Sequence, residues 1–182
     1  MEKAYEISTN KKEIGIKLIE KVMCNILKDK VNVLFICIGT DRCIGDAVGP
    51  IVGHLLTKHN VPYAVYGTLE KPVHATNINT VLEKIKKKYP TSYIIAIDAC
   101  IGSELGTIKI EENSIKPGRG LGKDLPAIGD LSIKAIVSNS SSFLRLQNVR
   151  LNFVYNISNI ISAGIILAAK KLSLNNKNEN VI

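Results

Sequence analysis

Apolar residues recur along this chain in two periods, one helical and one strand-like. Ile14, Leu18, Val22 and Ile26 stand at helical spacing and predict a first helix running to about Lys28. The polar opening, residues 1–10, predicts no fixed element. Val31–Ile38 (VNVLFICI) is apolar except for Asn32 and reads as a buried strand. The next helical pattern begins at Asp46, tolerates Pro50 in its first turn, and carries Val48, Val52, Leu55 and Leu56 on one stripe. A second strand over Val61–Gly67 leads into the loop Thr68–Ala75. A helix over Asn77–Tyr89 shows Ile78, Val81, Leu82 and Ile85. Tyr93–Ala99 (YIIAIDA) is a third strand, nearly all apolar up to Asp98.

Beyond Ala99 the rhythm changes. Gly106–Glu111 (GTIKIE) alternates like an edge or antiparallel strand. Residues 115–129 (IKPGRGLGKDLPAIG) hold four glycines and two prolines, and a loop of that length inside a domain is usually functional or disordered. Leu131–Val137 resumes a strand, Ser138–Ser142 is a polar link, Asn148–Leu172 contains the last long helix, and Ser173–Ile182 reads as a frayed tail. Strands separated by helices predict a mostly parallel sheet covered on both faces, with one antiparallel strand. At 182 residues, with no internal repeat, the chain reads as a single domain.

Composition adjusts this picture little. A formal net charge of +8 favours acidic partners, yet the lysines are scattered. Their one run, Lys84–Lys88 (KIKKK), sits where a helix ends and where cations meet the negative end of its dipole. No aromatic interleaving accompanies it, so direct nucleic-acid binding is not expected. The four cysteines form no C-x-x-C pair, which excludes zinc-ribbon and thioredoxin motifs. Cys37 and Cys100 stand in or beside apolar strands as small core residues, and free thiols in a reducing compartment are expected. The opening MEKAYEISTNKKEIG has no apolar signal core, so a cytoplasmic location is expected. In Phe153–Ala169 the apolar residues are interrupted by Tyr155, Asn156, Ser158, Asn159 and Ser162, which predicts a buried amphipathic helix and no membrane contact.

The chemistry concentrates in Ile38–Pro50 (IGTDRCIGDAVGP), a strand, a loop with glycines and the start of a helix. Gly39, Gly45 and Gly49 let this backbone turn and approach a neighbour closely. Neither G-x-G-x-x-G nor G-x-x-x-x-G-K-[ST] is present, so no dinucleotide or P-loop site is supported. Asp46 at the helix start is either an N-cap or an active-site carboxylate. Asp98 ends the third strand, where an unpaired charge inside the sheet would be costly. Loops at the carboxyl ends of parallel strands emerge on one side, where ligand sites gather. If the strands carrying these residues are neighbours, the two carboxylates face each other across a crevice. They would then share a proton and activate water, hold a metal, or satisfy backbone donors. His74, in the next loop on that side, is placed to join them. His54 and His59 lie five residues apart on a helix and read as structural.

These segments also carry a resemblance. IGTDRCIGDAVGP, GTLEKPVHA (Gly67–Ala75), IAIDACIG (Ile95–Gly102) and IKPGRGLGKDLPAIGD (Ile115–Asp130) closely resemble the YyaC family of sporulation proteins, over about residues 31–170. That family is similar to the spore germination protease and, more distantly, to the hydrogenase maturation endopeptidases. The resemblance implies an α/β fold of the hydrogenase maturation protease type, a three-layer α/β/α sandwich with a mixed, mostly parallel five-stranded sheet. The germination protease has aspartates in matching D-A-x-G-P and I-D-A segments, which fall on Asp46 and Asp98, and its I-x-P-G-x-G-x-G loop matches Ile115–Gly122. It is regarded as an unusual aspartic peptidase acting on the small acid-soluble proteins of spores. In the hydrogenase endopeptidases the same two acidic positions contact nickel with the help of a histidine. No histidine lies in the corresponding late segment here, and no metal or other cofactor is expected.

The resemblance therefore implies a cytoplasmic peptidase of the forespore or spore interior, with Asp46 and Asp98 as its catalytic pair. Gly39, Thr40, Asp41, His74 and Lys123 are the candidate substrate-binding residues, taken from loop position. The expected partner is a protein or peptide, with the small acid-soluble spore proteins as candidates and homo-oligomer formation left open. Two other readings stand beside this one: a non-catalytic binding protein that keeps the crevice, and a metal-dependent maturation endopeptidase.

Overall fold

Five of the six strands follow directly from the apolar runs. They are β2 (Val33–Cys37), β3 (Ala64–Tyr66), β4 (Tyr93–Ile101), β5 (Thr107–Glu111) and β6 (Leu131–Ser138), joined by β1 (Ala4–Ser8). The computed structural model describes residues 4–117, 125–140 and 143–179. Within them the strands form one sheet in the order β1-β5-β6-β4-β2-β3. β3, β2, β4 and β6 are parallel neighbours, and β5 runs antiparallel to both β6 and β1. The mostly parallel sheet with one reversed strand is thus as the sequence predicts, and β2 lies against β4 in the register Val33↔Tyr93 to Cys37↔Ile97.

The helices are α1 (Lys12–Leu27), α2 (Val48–Lys58), α3 (Ile78–Lys88), a short α4 (Phe143–Gln147) and the long α5 (Leu151–Glu179). Alternation along the strands sorts them into two layers. Phe35, Cys37, Ile97, Ile133 and Ile110 point to one side and form a core with Ile19 and Met23 of α1, Val52 and Leu56 of α2, and Ile157 and Ile161 of α5. Leu34, Ile36 and Ala96 point to the other side and pack with Ile78 and Ile85 of α3 and with Ile115 and Ile128. The result is a three-layer α/β/α sandwich. Leu151–Asn175 is long and apolar enough to cross a membrane by length and composition. Here 56% of its most apolar window is buried, and it packs as a core helix against α1 and α2.

Three expectations are corrected. The sheet has six strands and not five, because residues 4–8 (AYEIS), expected to be loose, alternate so that Ile7 enters the core while the backbone pairs with β5. The expected tail from Ser173 continues α5 to Glu179, since no glycine or proline interrupts it; Ser173 Oγ donates to Ala169 O at 2.9 Å within the helix. Asp98 does not end its strand. β4 outruns β2 and stays paired with β6 up to Ile101, with a register shift at Cys100/Ile101.

Candidate functional site

Asp46 reaches its position through a tightly closed loop. Strand β2 gives way to Ile38, whose N–H donates to Ile97 O at 2.7 Å, so the chain leaves the sheet still tied to β4. Gly39 N–H then donates to Val73 O at 2.8 Å, and Thr40 N–H donates to Asp46 O at 3.0 Å. Gly39 has φ +137°, and a Cβ there would lie 2.0 Å from Asp46 O. Only glycine permits that closure. The residues before Asp46 form a single 3-10 turn, Ile44–Asp46, and the N-cap position of α2 is Ala47. The N-cap reading of Asp46 is therefore corrected. Its carboxylate precedes α2 by two residues and still stands at the positive end of that helix dipole.

Asp98 lies just beyond the last β2–β4 pair, Cys37↔Ile97, where β4 loses one neighbour and keeps the other. It is only 4% exposed. Burial pushes its carboxyl well above the usual carboxylate range, the nearby charge of Asp46 pushes the same way, and a backbone hydrogen bond from Ala99 opposes both. Asp98 therefore favours its neutral, proton-bearing form. The influence of Asp46 on it places the two carboxyl groups in electrostatic reach.

Both aspartates line one cleft of about 950 Å³, together with Gly39, Thr40 and His74. The structure thus brings five of the seven expected site residues together. His74 is half-buried at the start of α3. Its N–H donates to Asn77 Oδ1 at 2.9 Å and its Nδ1 is hydrogen-bonded to Thr76 Oγ1 at 3.0 Å. Asp41 is exposed and lines a second, smaller depression with Ile44, Ile51, His54 and Tyr155. Lys123 lies outside the described residues, as does the whole of the segment 118–124.

The cleft extends past Asp98 over a polar part of the sheet that the sequence reading missed. Lys134 of β6 stands directly beside Asp98 in register, and Lys109 of β5 stands beside Lys134. Lys134 Nζ donates to Glu111 Oε2 at 2.5 Å, and Glu111 is drawn below the usual carboxylate range chiefly by that bond. Arg42 lines the cleft from the Asp46 loop. The signal for Lys134 was present: LSIKAIV puts one lysine inside an apolar strand, as YIIAIDA does one aspartate.

The remaining side chains limit the chemistry. Cys100, half-buried in the cleft, has its thiol pushed up to about 12, first by burial and next by Asp98, so it is no thiolate nucleophile at neutral pH. All four cysteines are free thiols. Among the described residues no three His, Cys, Asp or Glu side chains gather as metal ligands.

Comparison with known proteins adds the lineage. The family described as "Protein of unknown function (DUF1256)" matches residues 6–164. The chain is also 40% identical over 159 residues to the uncharacterized protein YyaC of Bacillus subtilis (strain 168), covering 83% of this chain and 77% of that protein.

Proposed function

This chain belongs to the YyaC (DUF1256) family, and we propose, from its cleft, that it is a peptidase that hydrolyses a peptide bond with Asp46 and Asp98 as a base–acid pair. The observation that carries the reading is a neutral-favouring, buried Asp98 in one cleft with a second carboxylate at a helix dipole's positive end. Two carboxyl groups whose surroundings push their protonation apart suit opposite roles in one reaction. Asp46, ionised, takes a proton from a water molecule as the water oxygen bonds to the peptide carbonyl carbon. Asp98 donates its proton to the carbonyl oxygen. Collapse of the tetrahedral intermediate breaks the C–N bond, returns a proton to Asp98, and sends the one held on Asp46 to the leaving amine. Thr40 and His74 flank the reacting bond in this reading, and Gly39 keeps the Asp46 loop closed.

The resemblance to the germination protease supports the small acid-soluble spore proteins as substrate class and the cytoplasm of the forespore or spore as location. Assembly with further copies of the chain is compatible with both. Incubation with small acid-soluble proteins, followed by mass spectrometry of fragments, is expected to yield discrete cleavage products. Intact substrate after prolonged incubation rejects the assignment for this substrate class.

The depth of Asp98 favours a second reading. A carboxyl only 4% exposed that accepts the Ala99 N–H also serves as a structural acceptor, in a binding protein that keeps the cleft without turnover. Peptide binding undiminished in the Asp46→Asn/Asp98→Asn double variant, with no cleavage by either protein, selects that reading.

A further inference from the structure

We propose that Lys134, held in place by Glu111, is a substrate-binding residue of the cleft that donates hydrogen bonds to a main-chain carbonyl oxygen of a peptide laid past Asp98 over β6. The inference deepens the peptidase reading and rests on it only for the ligand being a peptide. A lysine ammonium has three N–H donors and no acceptor. Among the described residues Lys134 uses one, toward Glu111 Oε2 at 2.5 Å. Its side chain is 22% exposed and lines the cleft, so its other two donors need oxygen partners from the cleft's contents.

The ammonium is also preorganised. Glu111 Oε2 accepts a second bond from Asn113 Nδ2 at 3.2 Å, and Asn113 Oδ1 accepts from Ser132 Oγ at 3.0 Å. Fixing the carboxylate oxygen that Lys134 itself uses fixes the ammonium in turn, which reduces the ordering cost a ligand must meet.

Charge decides what that ligand group is. The Lys134–Glu111 pair is neutral as a unit, and Lys109 beside it is paired with Glu6. Elsewhere the cleft's charged lining is mixed, with Arg42 and Lys116 beside Asp46 and Glu104, so the deciding charge is the immediate one: a carboxylate bound to Lys134 would set a new negative charge next to Glu111. A neutral amide carbonyl accepts the same donors without that repulsion. The register then places this contact one strand from Asp98, since the Asp98 and Lys134 Cα atoms are direct partners and neighbouring strands lie about 4.8 Å apart. A residue of the peptide adjoining the reacting bond is therefore the one Lys134 holds.

The test is an NMR titration of the Asp46→Asn protein with an uncharged, end-capped pentapeptide of glycine, alanine and serine. Saturable shifts are expected at the backbone amides of Asp98, Lys134 and Ile136. Lys134→Met should weaken binding by about tenfold or more, the loss expected for one hydrogen bond from a charged donor. Lys134→Arg, which keeps donors and charge, should restore at least half of the lost affinity on a logarithmic scale. If Lys134→Met does not fold, Glu111→Gln is used, and it should weaken binding by loosening the ammonium. Unchanged affinity in a folded Lys134→Met protein overturns the proposal, as does absence of saturable shifts at those amides. Saturation by sodium acetate and not by the peptide overturns the neutral-carbonyl assignment. Binding that depends on Lys134 in a protein that cleaves nothing sinks the peptidase reading and leaves this one standing.

Discussion

The two faces of strands β4, β6 and β5 differ by a single residue step and by almost everything else. On one face Ile97, Ile133 and Ile110 are completely buried in the core that α1, α2 and α5 close. On the other face the next residues along, Asp98, Lys134 and Glu111, line an open cleft. α3 packs over β2 and its neighbours on that side, through Leu34, Ile36 and Ala96, and stops short of the charged rows. Covering the charged half with a helix would bury an ion pair at heavy desolvation cost. Leaving it open gives up apolar burial and creates a site. One face therefore carries stability and the other, if the cleft is the proposed peptidase site, carries chemistry, and substitutions on the two should separate accordingly.

The largest separation is expected at the aspartates. Asp46→Asn and Asp98→Asn are nearly isosteric, and each should lower cleavage of small acid-soluble proteins by at least about 100-fold, the scale of general acid–base catalysis. Circular dichroism should report an unchanged fold. Wild-type rates in either variant break the paired mechanism. On the closed face, Ile133→Ala should do the reverse. It removes three carbons from a completely buried position and should cost about 2–5 kcal/mol in urea unfolding. A loss below about 1 kcal/mol would mean that this face is loosely packed and the contrast is overstated.

Much of this contrast is legible in the sequence, since period-2 alternation in LSIKAIV and TIKIE assigns Ile133, Ile108 and Ile110 to one face and Lys134, Lys109 and Glu111 to the other. The β2–β4 adjacency and the gathering of Asp46 with Asp98 follow from the parallel βαβ rhythm and the loop resemblance. Three things were not legible. The pairing of Lys134 with Glu111 depends on β5 running antiparallel beside β6, a long-range register that local pattern does not contain. The strand Ala4–Ser8 is too short and too polar to declare itself, and it forms because β5 offers a free edge. Asp46 misses the N-cap because a 3-10 turn takes up the residues before α2, and turns of that kind have little sequence signature.

The pH dependence of stability sharpens the contrast at Asp98. Its folded-state pKa is raised above the unfolded value, by burial first and by Asp46 second. A group shifted that way contributes stability that is complete below the ordinary carboxylate pKa and is lost as pH rises through the folded value. Asp98→Asn lacks this titration. The variant should therefore gain on the wild type as pH rises from about 4, by at most about 1.4 kcal/mol per pH unit, and the gap should level off above the folded pKa. Urea midpoints from pH 4 to 8 measure it. A gap that is flat with pH would mean that Asp98 titrates like an exposed carboxylate, and it would remove the acid from the mechanism.

The smallest effect is expected at Glu111. Lys134 draws its folded pKa downward, so the sign is opposite to that of Asp98: the stabilisation is present above the ordinary glutamate pKa and disappears as pH falls through the lowered value. Both partners keep about a quarter of their side-chain surface exposed, 22% for Lys134 and 24% for Glu111, so water screens the pair and shares in solvating each charge. Glu111→Gln should then cost no more than about 1 kcal/mol at pH 7 and progressively less as pH falls through the lowered pKa, below which wild type and variant converge. Chemical unfolding at successively lower pH checks it, and so does salt, because a screened pair loses most of its contribution by roughly 1 M. A loss at neutral pH as large as that of Ile133→Ala would put the pair in the stability core. The charged face would then be structural, and the division of labour between the two faces would fail at the residue pair that defines it.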